Sequence, residues 1–219
     1  MKKIATIYTE FPEKFGIPRQ SGIVEELEGK IIFEKPYRSI DAVRGLEEFS
    51  HLWLIWEFSA NEEKPFSPTV RPPRLGGNKR MGVFATRSPF RPNRLGLSSL
   101  KIKKIDLEAP DAPVIYVSGA DLMNGTPIYD IKPYVKGDMH PDAAFGFTST
   151  NPFPTLKVEI PDNLAAKMGD KLAALTKVLE NRPIPAYQNE PDRVYGMCFA
   201  GKEVKFTIHD KILNIIDIL

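Results

Sequence analysis

The residues best suited to chemistry lie in one run, RPPRLGGNKRMGVFATRSPFRPNRLGLSSLKIKK, from Arg71 to Lys104. No acidic residue stands between Glu63 and Asp106, yet that interval holds eleven cations: Lys64, Arg71, Arg74, Lys79, Arg80, Arg87, Arg91, Arg94, Lys101, Lys103 and Lys104. The whole chain carries a formal charge of only +2, so the positive charge is local and the rest is net negative. A solvated face normally mixes signs to limit self-repulsion, and a long acid-free span punctuated by Pro and Gly points instead to a polyanion partner. Arginine forks onto phosphate bidentately, and a loop fixed by Pro and Gly loses less entropy on binding. Phe84 and Phe90 within this run, and Trp56 ahead of it, could stack on unpaired bases, although a core position in a strand is the commoner fate of such residues.

Two shorter groups accompany the basic run. IPRQSG, Ile17 to Gly22, reads as a short loop, and GADLMNGTPIYDIKPY, Gly119 to Tyr134, places the acceptors Asp121, Asn124 and Asp130 at the end of an apolar strand. Asn124-Gly125 is a hairpin turn signal, which explains it without a ligand. His51 opens the apolar stretch HLWLIWEF, where a structural role fits best.

The elements that must carry these residues are mostly strands. KIATIYT, KIIFEKPY, HLWLIWEF, MGVFAT, LGLSSLKIKKIDL, PVIYVSGADL and PIYDI are rich in β-branched and aromatic residues and are separated by Pro, Gly and Asn. Short, closely spaced strands predict a small barrel or curled sheet. Only DAVRGLEEF, Asp41 to Phe49, looks helical in this region, with Asp41 as N-cap. Strand and helix do not alternate regularly, and neither G-x-G-x-x-G nor G-x-x-x-x-G-K-[ST] occurs, which counts against a doubly wound parallel sheet in this region and means that any nucleotide cofactor is held differently.

Lys136 to Pro154 reads as a linker, after which a second, α+β unit begins. TLKVEI alternates as a strand. NLAAKMGDKLAALTKVLEN aligns Leu164, Met168, Leu172, Leu175 and Leu179 on one helical face, and VYGMCFAGKEVKFTIHDKILNIIDIL supplies closing strands turning at Ala200-Gly201 and His209-Asp210. The expected division is thus 1–140 and 155–219. A chain of 219 residues buries enough surface to fold without staples, and the single cysteine, Cys198, allows no internal disulfide. The three histidines have no metal-ligand spacing, and neither an export signal nor a membrane span is legible, so a metal-free cytoplasmic protein is expected.

Taken in order, IPRQSG, DAVRGLEEFSHLW, VRPPRLGGNKRMGVFATRSPFRPN with LGLSSLKI, DLMNGTPIYDIKPY and RPIPAYQNEPDRVYGM strongly resemble the signature of the TsaA-like, or TrmO, family. Its members are tRNA adenosine methyltransferases that use S-adenosylmethionine. The resemblance spans nearly the whole chain. It implies a mainly β fold, a small TsaA-like β-barrel that binds the donor followed by a small α+β domain that helps hold tRNA. It also implies a homodimer with the donor site near the subunit interface. The implied reaction is N6-methylation of the threonylcarbamoyl-modified adenosine 3′ of the anticodon in threonine tRNA.

By the same resemblance, the donor-binding positions are Pro18, Arg19 and Gln20; Ser59 and Ala60; Arg87 and Leu97; and Asp121, Leu122, Met123 and Asn124. Arg19 or Arg87 could fork onto the donor carboxylate, while Asp121 and Gln20 suit ribose and adenine. Many members carry His where Ser59 stands, Pro where Arg94 stands, and Asp where Asn124 stands. Asp121 and Asp130 are the candidates for a catalytic proton acceptor. Arg71, Arg74, Arg91, Arg94 and Lys132 are the candidates for phosphate or for the threonylcarbamoyl carboxylate, with Tyr187 and Arg193 for tRNA contact in the second unit. That unit is expected to serve tRNA and not the donor, leaving residues 1–151 able to bind the donor alone. A non-catalytic RNA-binding barrel and a small-molecule carrier are the rival readings.

Overall fold

The computed structural model describes residues 1–184, 190 and 193–219. Six antiparallel strands close a barrel in the order β1-β2-β7-β6-β3-β8. They are β1 (Ala5–Tyr8), β2 (Glu28–Phe33), β3 (His51–Glu57), β6 (Leu95–Asp106), β7 (Val114–Ser118) and β8 (Thr126–Pro133). Two short strands, β4 (Thr69–Val70) and β5 (Met81–Gly82), form a separate ribbon in the basic segment. Alternation along HLWLIWE works as the period of a half-buried strand requires: Leu52, Leu54 and Trp56 turn inward, with His51, Trp53, Ile55 and Glu57 between them. They meet Ile7, Ile31, Leu100, Ile115, Val117 and Ile128 in one apolar core.

The segment read as helical, Asp41 to Phe49, forms two 3-10 turns, Ile40–Val43 and Leu46–Glu48, split by Gly45 in the left-handed region at φ 85°. Ser39 and not Asp41 holds the N-cap position, and Asp41 pairs with Arg44 instead. MGVFAT is a strand for two residues only before it tightens into the 3-10 turn Val83–Ala85.

The second unit is a four-stranded sheet ordered β10-β11-β12-β9: β9 (Lys157–Glu159), β10 (Tyr195–Phe199), β11 (Lys202–His209) and β12 (Ile212–Ile218). The linker contributes one helical turn, α1 (Phe147–Thr150). The long helix expected from Asn163 to Asn181 is interrupted. It runs as α2 (Asp162–Ala165) and α3 (Leu172–Glu180) on either side of Gly169, whose φ of 53° is left-handed. Its apolar stripe still faces the sheet, with Leu175 and Leu179 fully buried.

The second core is not closed by its own unit. Phe11, Val24 and Leu27, from the long connection between β1 and β2, are buried in it, with Phe15 and Ile17 packed against its edge. The Phe11 and Phe199 rings lie 5.2 Å apart, and a Cβ at Gly16 would stand 2.0 Å from the Met197 sulfur, so only glycine lets the loop approach this closely. Ala200 N–H donates to the Glu10 carbonyl at 3.0 Å, and Lys171 pairs with Glu10 at 2.7 Å. The loop that carries Pro18, Arg19 and Gln20 is thus seated on the C-terminal sheet.

That packing argues against the expectation that residues 1–151 bind the donor alone. Without the second unit, Phe11, Val24 and Leu27 lose burial worth about 1.5–3 kcal/mol each, enough to release the loop. A chain shortened to residues 1–151 should keep its barrel circular dichroism while losing at least about tenfold in donor affinity by calorimetry. Undiminished affinity would show that the loop holds its shape unaided.

Candidate active site

One end of the barrel opens into a cleft of about 610 Å³, lined by three segments: the 14–20 loop, the strand end and loop 56–61, and the 86–97 stretch, with Asp121, Met123 and Thr126 at its base. This is the size and mixed polarity of a small-molecule site. The structure brings together Pro18, Arg19, Gln20, Ser59, Ala60, Arg87, Leu97, Asp121 and Met123 on this one lining. Leu122 is buried beneath it at 1% exposure. Asn124 is an anchor at its edge: its Oδ1 accepts from Thr9 N–H at 3.1 Å and its own N–H donates to the Phe11 carbonyl at 2.7 Å.

Asp121 is the electrostatic centre of the cleft. Trp56 Nε1–H donates to Ser98 Oγ at 3.0 Å, and the Ser98 hydroxyl donates to Asp121 Oδ1 at 2.7 Å. Burial pushes the Asp121 carboxyl up to about 6, opposed by the hydrogen bonds from Ser98 and from the Ser21 backbone and by the charge of Arg87. Two glycines make this arrangement possible. A Cβ at Gly96, opposite Trp56 in the β3–β6 ladder, would fall 2.2 Å from the indole ring. Gly119, at φ 75°, lets its chain approach Gly22 so closely that Gly22 N–H donates to the Gly119 carbonyl at 3.0 Å. The PRQSG loop is thereby fastened directly above Asp121.

The cations divide by role. Arg87 is exposed at the cleft mouth, with one guanidinium bond to the Leu97 carbonyl at 3.2 Å. Arg19 lines the cleft, but its guanidinium points to the second unit, donating to the carbonyls of Asn181, Arg182 and Ile184 at 3.1–3.2 Å. It also lies over the Phe153 ring, as Arg74 does, at 3.9 and 4.2 Å to the centroid. Burial and the nearby charges of Arg74 and Arg182 lower it to about 10, so it stays protonated at neutral pH. Arg94 holds the 58–61 loop: it bonds the Asn61 carbonyl at 2.7 Å and pairs with Glu57 at 3.2 Å, while Tyr129 donates to the other Glu57 oxygen.

Arg71, Arg74, Arg91 and Arg94 line a second, wider groove that adjoins the cleft and shares Arg19, Gln20, Arg87 and Phe90 with it. Asp130 is not brought into the cleft. It lies on β8 beside Lys132, paired at 3.0 Å, and its Oδ1 accepts from Ile131 N–H. Lys132 is likewise outside both linings. Arg193 pairs with Glu190 at 3.1 Å and lies over Tyr195, whereas Tyr187 falls outside the described residues. No group of three or more His, Cys, Asp or Glu among the described residues is arranged to hold a metal.

Sequence reasoning passed over Lys14, which reaches the Ala60 carbonyl at 3.0 Å, and the Trp56–Ser98 pair. Ser98 lies inward between Gly96 and Leu100, where a buried hydroxyl needs a partner, while Leu97 faces out, so polarity along LGLSSL gave no signal for it.

The raised Asp121 value gives a pH dependence with a fixed sign. The carboxylate is ionised above about pH 6 and neutral below it, so a cationic ligand is held more tightly on the alkaline side. Affinity for a sulfonium ligand should fall as pH drops through about 6, and Asp121→Asn should remove the step. A calorimetric pH series showing the same profile for both proteins would place the carboxylate elsewhere.

The sequence profile of the tRNA-methyltransferase O N-terminal domain matches residues 6–138, and that of its C-terminal domain matches residues 154–219. An Escherichia coli protein named tRNA (adenine(37)-N6)-methyltransferase is 38% identical over 223 residues, covering 95% of this chain and 93% of its own. A Pseudomonas aeruginosa protein, provisionally described as an S-adenosylmethionine-dependent methyltransferase, is 40% identical over 205 residues, 89% of this chain and 86% of that one. A crystal structure of the Pseudomonas aeruginosa TrmO protein superposes with a TM-score of 0.78 at 29% identity, over 99% of this chain and 97% of that one.

Proposed function

The chain belongs to the tRNA-methyltransferase O family of S-adenosylmethionine-dependent methyltransferases, and from that premise we propose that it methylates N6 of an adenine in tRNA. The acceptor in this reading is the threonylcarbamoyl-modified adenosine beside the anticodon. The observation that carries it is the juxtaposition of the Asp121 cleft with the Arg-lined groove, a small-molecule site opening onto a surface suited to a polyanion.

The cleft fits the donor chemically. Arg87 at the mouth suits its carboxylate, the Pro18–Gln20 and Ser59–Ala60 loops offer backbone groups to its polar rim, and the buried Asp121 carboxylate suits its positive charge. S-adenosylmethionine supplies an electrophilic methyl group on a sulfonium. An exocyclic adenine nitrogen is a poor nucleophile because its lone pair is delocalised, so removal of its proton helps. Asp121, raised to about 6 yet mostly ionised at neutral pH, is the acceptor for that proton, and Ser98 and Ser21 fix its orientation. Much of the remaining barrier is met by holding N6 in line with the methyl carbon.

The reading takes the protein as a cytoplasmic homodimer, and no helix among the described residues is long and apolar enough to cross a membrane. A sedimentation profile at the monomer mass would remove the dimer from it.

Two measurements test the proposal. Tritiated methyl transfer should appear on tRNA carrying the threonylcarbamoyl group and be weak or absent on tRNA lacking it; equal labelling of both would leave tRNA methylation standing and remove the modified substrate. Arg87→Ala should lower donor affinity about ten- to a hundredfold, the usual loss for a charge-assisted fork. Unchanged donor affinity in that folded variant would move the carboxylate site away from Arg87.

A further inference from the structure

The ribbon of β4 and β5 pairs Thr69 with Gly82 and Val70 with Met81, and this register carries the chain on either side to two phenylalanines. Phe66 and Phe84 lie side by side, ring centroids 6.4 Å apart and planes inclined by 27°. They are 57% and 71% exposed. A stacked aromatic pair this open to water is an anomaly, since adjacent apolar rings would normally turn inward and bury their faces. The local structure holds them out. Val83, fully buried, anchors the turn beside Phe84; Val83 N–H donates to the Pro68 carbonyl at 3.0 Å, and Thr86 Oγ1 and Arg91 both bind back to the turn. Ser67 Oγ bonds the Thr69 carbonyl at 2.8 Å on the other side. The Arg91 guanidinium lies 5.8 Å from the Phe84 ring, and both rings line the wide groove with Arg71, Arg74 and Arg80.

We propose that Phe66 and Phe84 form a stacking platform for unpaired nucleobases of the RNA that this groove binds. The inference rests on the tRNA reading above and names residues that the donor cleft does not use. Exposed rings within a groove of arginines match the two faces of single-stranded RNA, a π-surface on each base and a charge on each phosphate. A helical RNA stem keeps its bases stacked on one another and offers no free face, so the platform selects loop nucleotides and sets the reach from the groove to the cleft. A second copy of this chain is the other occupant that two exposed phenylalanines could serve, and the absence of acids from Lys64 to Ile105 favours the polyanion over it.

The test uses the full chain and an anticodon stem-loop RNA carrying 2-aminopurine in its loop. Wild-type protein should quench the fluorophore. Phe66→Ala and Phe84→Ala should each weaken loop binding about 5- to 150-fold while leaving the salt slope unchanged, because stacking and not a phosphate contact is lost. Phe84→Trp should restore affinity, and a fully paired RNA of the same length should bind all four proteins alike. Equal affinity of variants and wild type for the loop, or an equal loss on the duplex, would overturn the platform. So would a fall in protein mass on sedimentation without RNA, which would assign the rings to a subunit contact. Tritiated methyl transfer by the wild-type protein separates this outcome from failure of the tRNA reading itself: labelled tRNA with unaffected variants removes only the platform.

Discussion

Everything at the candidate site depends on how residues 9–27 are shared between two cores. This stretch leaves the barrel at β1, places Phe11, Val24 and Leu27 inside the C-terminal core, and returns to the barrel at β2. Between these anchors the Pro18–Gln20 loop has no regular hydrogen-bond ladder of its own. Its shape comes from the apolar contacts beneath it, from the Arg19 bonds to three carbonyls after α3, and from the Gly22–Gly119 bond over Asp121. The two units are therefore coupled mechanically through the wall of one cleft, and an event at the C-terminal unit has a direct route to the site.

Charge in that cleft is arranged asymmetrically. A single desolvated carboxylate, Asp121, lies at the base, held by Ser98 and Ser21, while Arg87 stands at the rim. Glu57, the other acid on the lining, is already satisfied by Arg94 and Tyr129. A ligand carrying a positive centre at one end and a carboxylate at the other meets the opposite charge at each. In the adjoining groove cations dominate, and several are committed to the protein as well: Arg74 and Arg91 bind backbone carbonyls that shape the walls they line. The basic segment thus stiffens itself while presenting positive charge.

The barrel was legible wherever β-branched and aromatic residues cluster between Pro, Gly and Asn. HLWLIWEF and LGLSSLKIKKIDL, read as strands from their apolar, β-branched and aromatic content, both appear as strands, and the inward-outward alternation is strict in burial along the first. Local signals failed where one residue overrode a longer pattern. Gly169 broke a helix that the Leu164–Leu179 stripe made to look continuous, and Gly45 split the Asp41–Phe49 stretch into two 3-10 turns. The family resemblance grouped residues that the structure brings to one cleft, but it was silent on what their side chains do. Nothing near Arg19 in the sequence indicates that its guanidinium reaches residues 181–184, and nothing in FPEKFGIPRQSGIVEEL, which has no apolar period, indicates that it completes a distant core. Those are long-range contacts, set by the packing of two units rather than by any local preference.

The most direct test of a cleft whose 14–20 wall rests on the C-terminal unit is amide hydrogen exchange on the full chain, with and without S-adenosylmethionine. The account predicts added protection in residues 9–22 and 119–125 together, accompanied by the segment 195–199 on which the loop is seated, because these strands and loops form one cooperative unit. Protection confined to the barrel strands, with 9–22 and 195–199 unchanged on donor binding, would contradict it.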